Sequence, residues 1–551
     1  MGTEKRILIV GGVAGGATAA ARARRLSESA EIIIFERGGY VSFANCGLPY
    51  YVGGEISERE DLLLQTPESL NARHRLDVRV HSEVVAIDRA EQCVRVRQLE
   101  TGREYTEAYE NLILSPGAAP IRPPLSGIEH PRIFSLRTVP DGDEIKAVVD
   151  AGARRAVVVG GGFIGLEMAE NLRRRGLEVA LVELLDQVMP PLDREMATPV
   201  HQELRDHGVA LHLADAVEAF EHDRDGVTAV LRSGTEIPAD LVILCIGVRP
   251  EVSLAADAGL QLGPHGGIQV DDRLRTSDPA IYAIGDAIEV RTGPVDGTAL
   301  IPLAGPANRQ GRIAADQIFG RDSVYRCTQG TSIARVFELT IALTGASEKV
   351  LTGAGHPYRK VYVHPAHHVT YYPGSENLSI KLLFSPEDGK VLGAQIVGRE
   401  GVDKRIDVLA TAIHGGMSVY DLEQLELAYA PPFGAAKDPI NMAGFVAGNL
   451  LKGDVQIIDA DALEDVEHEL IDVRDASELE DGYVPGARNI PLNELRSRLT
   501  ELPSDRLIVV YCQVGQRGYV AARILGQCGY AVRNLSGGYK TYRAYFPEAT
   551  G

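Results

Sequence analysis

The chain has 551 residues, 45% of them hydrophobic, which suits three or four domains with sizeable cores. Its formal net charge of −20 argues against nucleic acid or an anionic membrane as the main partner, while a local basic patch can still capture an anion. No apolar run approaches a membrane span, and Ile7–Val10 runs straight into a glycine motif without a separate signal core, so a cytoplasmic protein is expected.

The opening segment "KRILIVGGVAGGATAAARARRL" predicts a strand at Ile7–Val10, a glycine turn at Gly11-Gly12-Val13-Ala14-Gly15-Gly16 and then a helix. "EIIIFE" predicts a second strand that ends on Glu36. This βαβ unit would set a pyrophosphate on a helix N-terminus and a ribose hydroxyl on the Glu36 carboxylate. Val13 stands where the middle glycine of such a turn is usual. Next comes "VSFANCGLPYY", which places a lone cysteine, Cys46, among Ser42, Asn45, Gly47 and Pro49. "NLILSPGAAP" predicts a strand and a glycine turn.

A second dinucleotide motif follows in "RRAVVVGGGFIGLEMAENLRRRGLEVALVE", with Gly160, Gly162 and Gly165 after a valine strand and Glu183 closing the next one. An acid at that place accepts from a 2′-hydroxyl and repels a 2′-phosphate, so NADH is expected over NADPH. "ADLVILCIGVRP" and "DPAIYAIGDA" add two strand ends, the second presenting Asp286. From about Cys327 to Gly444 alternating strands precede helices, an α+β pattern. After a break near "LKGDVQ" the tail has its own strand–helix alternation. The six cysteines lie far apart with no CxxC and read as free thiols. Cys93, Cys245, Cys327 and Cys528 are expected to serve packing alone.

On "SPGA", "YAIGDA", "SFANCGLPYY", "TYYPG" and "LAYAPPFGAAKDPINMAG", the first 445 or so residues resemble the pyridine nucleotide–disulfide oxidoreductases, and within them the coenzyme A disulfide reductases. The tail resembles a rhodanese domain through "LIDVRD", "GYVPGARNIPL", "VVYCQVGQRGY" and "LSGGY". The fusion is similar to coenzyme A disulfide reductase–rhodanese proteins, a group that includes NADH-dependent persulfide reductases. The resemblance implies an α/β chain with two Rossmann-like domains, for FAD and NADH, an α+β dimerisation domain and a C-terminal rhodanese α/β domain. The expected boundaries are 1–118 and 250–325 for FAD, 119–249 for NADH, 326–446 for dimerisation and 455–551 for rhodanese. Residues implied at the cofactors are Gly11, Gly12, Ala14, Gly15, Glu36, Arg37, Ser115, Pro116, Gly117, Gly285 and Asp286, with Gly160, Gly162, Gly165, Glu183 and Gly247 in the second motif.

NADH delivers hydride, whereas a sulfur–sulfur bond is cleaved by thiolate attack through a mixed disulfide. A flavin joins the two chemistries, so a reactive thiolate must lie against it. Cys46 follows Glu36 by ten positions and has no cysteine nearby, so its partner sulfur must come from a substrate thiol. The resemblance names that thiol as coenzyme A, held through Thr18, Arg22, Arg25, Ser42, Asn45, His74, Asn308 and Lys437. Thr18, Arg22 and Arg25 share one helix face, and arginine forks suit phosphate, although a solvated face would look the same. Tyr371 and Tyr429 match tyrosines that act across a dimer interface, where a phenol stabilises a thiolate or protonates the leaving one, the alternative being packing. Tyr372 is expected to be structural. In the tail, "CQVGQR" sets Cys512 in a loop leading into a helix, with Arg517 to stabilise a thiolate or bound anion, and Cys512 is expected to carry a persulfide.

No metal is expected. The expected activity is flavin-dependent reduction by NADH of coenzyme A persulfide, coenzyme A disulfide or polysulfide, in a homodimer. Two other readings compete. One is an NADH oxidase or peroxidase that uses a cysteine sulfenic acid, against which Ala14 stands where those relatives carry histidine. The other is a sulfur carrier or sensor without turnover, against which the second dinucleotide motif stands.

Overall fold

Hydrophobic strands that are buried on both faces organise both parts of the chain. The computed structural model describes residues 5–222 and 226–547. They fall into two compact units, Met1–Asp186 with Gly208–Gly330, and Gln187–His207 with Thr331–Gly551.

The first unit contains two five-stranded parallel sheets. In one, the order is Ile281–Ala283, Asn111–Leu114, Arg6–Val10, Glu31–Phe35, Asp77–Arg79. Ile7, Leu8, Ile9, Ile33 and Ile34 are fully buried, as a parallel sheet covered on both faces requires. In the other sheet the order is Val209–His212, Glu178–Val182, Arg155–Val159, Leu241–Leu244, Ile133–Ser135. A helix at Ala14–Leu26 follows the first glycine turn and one at Phe163–Arg174 follows the second. The short helix Leu48–Gly53 packs on the latter so closely that a Cβ at Gly53 would meet Asn171 Oδ1 at 1.9 Å.

The second unit pairs an antiparallel five-stranded sheet with a parallel one. The antiparallel order is Ser332–Val336, Leu339–Gly345, Val391–Gly398, Ser379–Phe384, Arg359–Val363. The parallel order is Ile457–Ile458, Val532–Leu535, Leu507–Tyr511, His468–Asp472, Arg488–Asn489. A buried charge network lies where these sheets meet the helix Arg194–Asp206. Lys381 has no exposed surface, and its ammonium lies 2.8 Å from Asp193 Oδ2, 2.5 Å from Glu195 Oε1 and on Glu348 Oε2. Burial alone would strip this proton, but the three carboxylates outweigh it and hold the lysine above its ordinary pKa. Tyr362 donates to Glu195 at 2.9 Å and lies 2.9 Å from the Tyr545 hydroxyl. Lys360 reaches Glu348 at 3.1 Å and Asp461 at 3.3 Å.

Asp459, beside Lys360 at 3.8 Å, is less well served. Its Oδ1 is buried without a hydrogen-bond partner, and burial pushes its pKa up to about 6 against the pull of Lys360. A carboxyl whose pKa rises on folding binds a proton in the folded state that the unfolded chain has released. The resulting stabilisation is present below the ordinary carboxylate range and is lost as pH rises through about 6. Asp459→Asn is therefore expected to raise the urea midpoint of this unit relative to wild type at pH 7.5 and to leave it level at pH 4.

Candidate active site

The first glycine turn, Ser115–Gly117 and Ile284–Asp286 leave the carboxyl ends of three neighbouring strands of the first sheet, so one sheet edge gathers all three segments singled out in the sequence. Ligands of parallel sheets bind at this edge. Gly11 has φ +93°, and a Cβ there would meet Ser115 O at 2.1 Å. A Cβ at Gly16 would meet Gly11 O at 1.9 Å, so the helix can lie this close to the turn only without one. Glu36 accepts from the Gly12 N–H at 2.9 Å and from the Gly38 N–H at 2.8 Å. Ala14 opens the helix, next to Val13 at its N-cap. The half-buried Asp286 makes no hydrogen bond or ion pair among the described residues, and burial pushes its pKa up. Arg37 lies 2.6 Å from Glu251, which Arg137 also engages at 2.5 Å, and Arg137 donates to Pro116 O at 3.3 Å.

The second sheet repeats the arrangement. Gly160 and Gly165 are tight, since a Cβ at Gly165 would meet Gly160 O at 1.9 Å, but nothing lies within 4 Å of a Cβ at Gly162. That open middle position is where a phosphate would approach the backbone. Glu183 accepts from the Gly161 N–H at 2.6 Å and the Leu185 N–H at 2.9 Å. Gly247 follows the adjacent strand Leu241–Leu244. Ile164, Leu184, Leu185, Ile246 and Val248 are exposed along the same edge, an apolar wall of the kind that sandwiches a flat ring.

Cys46 lies in a short 3₁₀ turn, Asn45–Gly47, just before the helix Leu48–Gly53. Its loop is tied to the first glycine turn by the Ser42 N–H, which donates to Gly12 O at 2.9 Å. Asn45 Oδ1 accepts from the Cys46 N–H at 3.0 Å and lies 3.7 Å from the sulfur. The residue is open to solvent, yet protein atoms crowd the thiol. Desolvation, then the carboxylates of Glu167 and Asp286, push its pKa up. Glu167 comes from the second glycine helix and Asp286 from the first sheet, so Cys46 lies under the influence of both dinucleotide folds. Glu167 was not singled out from the sequence, although its place one turn into a glycine-motif helix could have marked it.

The substrate residues separate into two groups. Arg22 is committed to Asp316, at 2.7 Å, and Thr18 hydrogen-bonds to Asn308. Arg25 is exposed, with no ion pair among the described residues. It lies near His74, whose pKa burial, Arg25, Arg73 and Arg24 pull down. Arg25 and His74 thus mark a basic patch, whereas Arg22 binds within the fold. Lys437 is exposed in the second unit. There, Tyr371 and Tyr429 share a hydrogen bond of 3.0 Å and are 73% and 47% exposed, beside the exposed Phe433. Tyr372, which meets His368 edge-on at 5.5 Å, is 41% exposed and so is not a core residue.

In the tail, Cys512 directly follows the buried strand Leu507–Tyr511 and is itself buried. The helix Gln516–Gln527 begins four residues later, after Gly515 at φ +90°. Arg517 makes a two-pronged pair with Glu478 at 2.6 and 2.7 Å. Its guanidinium is held above its ordinary pKa by Glu478 first and then by the Cys512 sulfur. Glu478 was not legible in the sequence, and it neutralises much of the charge expected to act on Cys512. Arg474, fully buried, ties Asp472, Gly482 O and Gln513 Oε1 together at 2.7–3.1 Å and so fixes the loop from behind. Cys528 is exposed at the end of the helix instead of packed, because the helix stops there and its last turn faces solvent. Cys93, Cys245 and Cys327 are partly buried, and desolvation pushes Cys245 up to about 12, an inert thiol.

Residues 5–311 match the model for pyridine nucleotide-disulphide oxidoreductases, 331–438 that family's dimerisation domain and 458–545 the rhodanese-like domain. Coenzyme A disulfide reductase of Staphylococcus haemolyticus is 35% identical over 448 residues, which is 81% of this chain and all of that protein. The chain belongs to the pyridine nucleotide-disulphide oxidoreductases. Among solved structures, reduced Bacillus anthracis CoADR-RHD has a TM-score of 0.98 at 52% identity, covering 99% of both chains. The NAD-dependent persulfide reductase of A. fulgidus has a TM-score of 0.92 at 38% identity, covering 98% of this chain and all of that one. The cofactors of the pyridine nucleotide-disulphide oxidoreductases are FAD and NAD(H), and the residues present fit them. Two glycine cradles leave no room for a Cβ at their tight positions, two acids are aligned by backbone N–H groups, and Asp286 is left without a partner for a hydroxyl donor. No helix among the described residues is long and apolar enough to cross a membrane.

Proposed function

We propose that this chain uses NADH to reduce the sulfur–sulfur bond of coenzyme A persulfide, coenzyme A disulfide or polysulfide, releasing thiol and, from a persulfide, sulfide. The observation that carries the reading is Cys46, a thiol without a cysteine partner, set between the two dinucleotide folds and open to solvent. FAD, held by the Gly11–Gly16 turn, Glu36, Ser115–Gly117 and Asp286, supplies the two-electron link between hydride and sulfur. NADH takes the second cradle, with Glu183 for its ribose.

The Cys46 thiolate attacks one substrate sulfur. The new bond is a mixed disulfide, and the other sulfur leaves with the electron pair of the broken bond and takes a proton. Asn45 holds the Cys46 backbone during this attack, while Glu167 and Asp286 oppose a standing negative charge on the sulfur. The Arg25–His74 patch takes an anionic part of coenzyme A. The exposed Tyr371–Tyr429 pair with Phe433 forms part of a homodimer surface and offers a phenolic proton to a leaving thiolate. Cys512 carries sulfane sulfur. The enzyme is cytoplasmic.

The test is anaerobic NADH consumption with coenzyme A persulfide, coenzyme A disulfide, polysulfide and hydrogen peroxide in parallel. Turnover is expected with the sulfur substrates. Turnover with peroxide or oxygen alone would replace this reading with that of an oxidase or peroxidase, a kind of protein to which the fold is also similar: a water-forming NADH oxidase from Lactobacillus brevis has a TM-score of 0.79 at 28% identity, covering 82% of this chain and all of that one.

A further inference from the structure

The loop around Cys512 is short of free positive charge. Gln513, Val514, Gly515 and Gln516 carry none, and the Arg517 guanidinium is already paired through both prongs with Glu478. A sulfane sulfur donor such as thiosulfate is an anion, and so is the sulfite it leaves behind. Arg517, shared with Glu478, leaves room for a further cation to meet that charge.

Lys540 is adjacent to the loop. Its backbone N–H donates to Gln513 O at 3.0 Å, and that of Tyr539 donates to Cys512 O at 2.8 Å. The helix Gly538–Tyr545 is locked against the loop, since a Cβ at Gly538 would meet Cys512 O at 2.2 Å and Gly515 N at 2.7 Å. Lys540 is half-buried, and its ammonium makes no hydrogen bond or ion pair among the described residues. Burial alone pulls its pKa down, with no carboxylate opposing it.

The dimerisation domain supplies the cover. His364, just past the strand Arg359–Val363, lies 2.8 Å from Thr541 Oγ1 through Nε2 and 3.0 Å from Ser379 Oγ through Nδ1. A Cβ at Gly537 would meet Tyr362 Cβ at 2.7 Å. Burial and the Lys540 charge keep His364 neutral, so the imidazole covers the lysine without competing for its anion. An unpaired, partly desolvated ammonium is costly unless a ligand satisfies it.

We propose that Lys540 is the residue that recognises the anionic sulfur donor at Cys512, in a site whose far wall is the dimerisation-domain edge around His364. The inference rests on the reading of Cys512 as the sulfur carrier. In the step served, the Cys512 thiolate attacks the outer sulfur of thiosulfate. The S–S bond of thiosulfate breaks, sulfite departs with its electron pair, and Cys512 holds a persulfide. Cyanide then takes the terminal sulfur as thiocyanate and returns the thiolate.

The experiment is thiosulfate-to-cyanide sulfur transfer by the full-length protein, with Cys512→Ser, Lys540→Met and Lys540→Arg. Lys540→Met is expected to raise KM for thiosulfate about tenfold or more, the worth of a charge-assisted hydrogen bond, with kcat changed less than about twofold. Lys540→Arg is expected to restore KM to within about threefold of wild type, because it keeps the charge. An unchanged KM in Lys540→Met overturns the assignment. So does a loss of kcat that arginine fails to rescue, since that pattern marks a structural role. Absence of transfer in wild type, or its survival in Cys512→Ser, overturns the carrier reading itself.

Discussion

Cys46→Ser is expected to lower NADH-dependent reduction of coenzyme A disulfide or persulfide by about a thousandfold or more, the scale seen when a covalent nucleophile is removed. The cause is the difference between a thiolate and an alkoxide. A serine hydroxyl does not ionise in water, and Glu167 and Asp286, which already push the thiol up, would oppose its anion further. Reduction of bound flavin by NADH should persist in the variant, since that half-reaction needs no sulfur. Stopped-flow absorbance separates the two: the flavin bleaches with NADH and fails to recover with the sulfur substrate. Retained turnover would remove Cys46 from the chemistry. Glu167→Gln in the wild-type background should move the alkylation profile of Cys46 to lower pH, because it takes away one of the opposing charges.

The second large effect belongs to stability. Lys381→Met is expected to destabilise the second unit by about 3 to 5 kcal/mol, the cost of leaving buried charge without its partner. Asp193 and Glu195 are nearly inaccessible, at 3% each, and both depend on this ammonium. Methionine fills much the same volume, so the loss is electrostatic and not a cavity. Amide exchange along Ser379–Phe384 reports it as a drop in opening free energy. Adding Glu195→Gln to the variant should recover part of the loss, which a packing defect would not allow.

How much of this was legible in sequence depends on how local the cause was. The two βαβ units were legible because strand, glycine turn, helix and acid lie within some thirty residues, and glycines such as Gly16 and Gly165 answer a steric demand of their own turn. Asp286 and Cys512 were legible because each directly follows, or closely trails, a strand end, and Cys46 because it is a lone thiol among polar and turn residues. Lys381 was not. Nothing in "LSIKLLF" marks the lysine as paired, and the carboxylates around it come from Asp193, Glu195 and Glu348, far away along the chain. The same distance hid Glu478 from Arg517 and Asp316 from Arg22. Cys528 was misread because nothing local marks where an amphipathic helix turns its last residue outward.

Glu36 and Glu183 each hold one backbone N–H of a glycine turn, Gly12 or Gly161, and one just beyond themselves, Gly38 or Leu185. These bonds lie wholly within the chain, so the protein itself braces both turns. A dinucleotide that arrives loses its own freedom but imposes little on the protein, so the conformational entropy of binding falls almost wholly on the ligand. Amide exchange in Gly11–Gly16 and Gly160–Gly165 should accordingly be slow before the cofactors bind and change little afterwards.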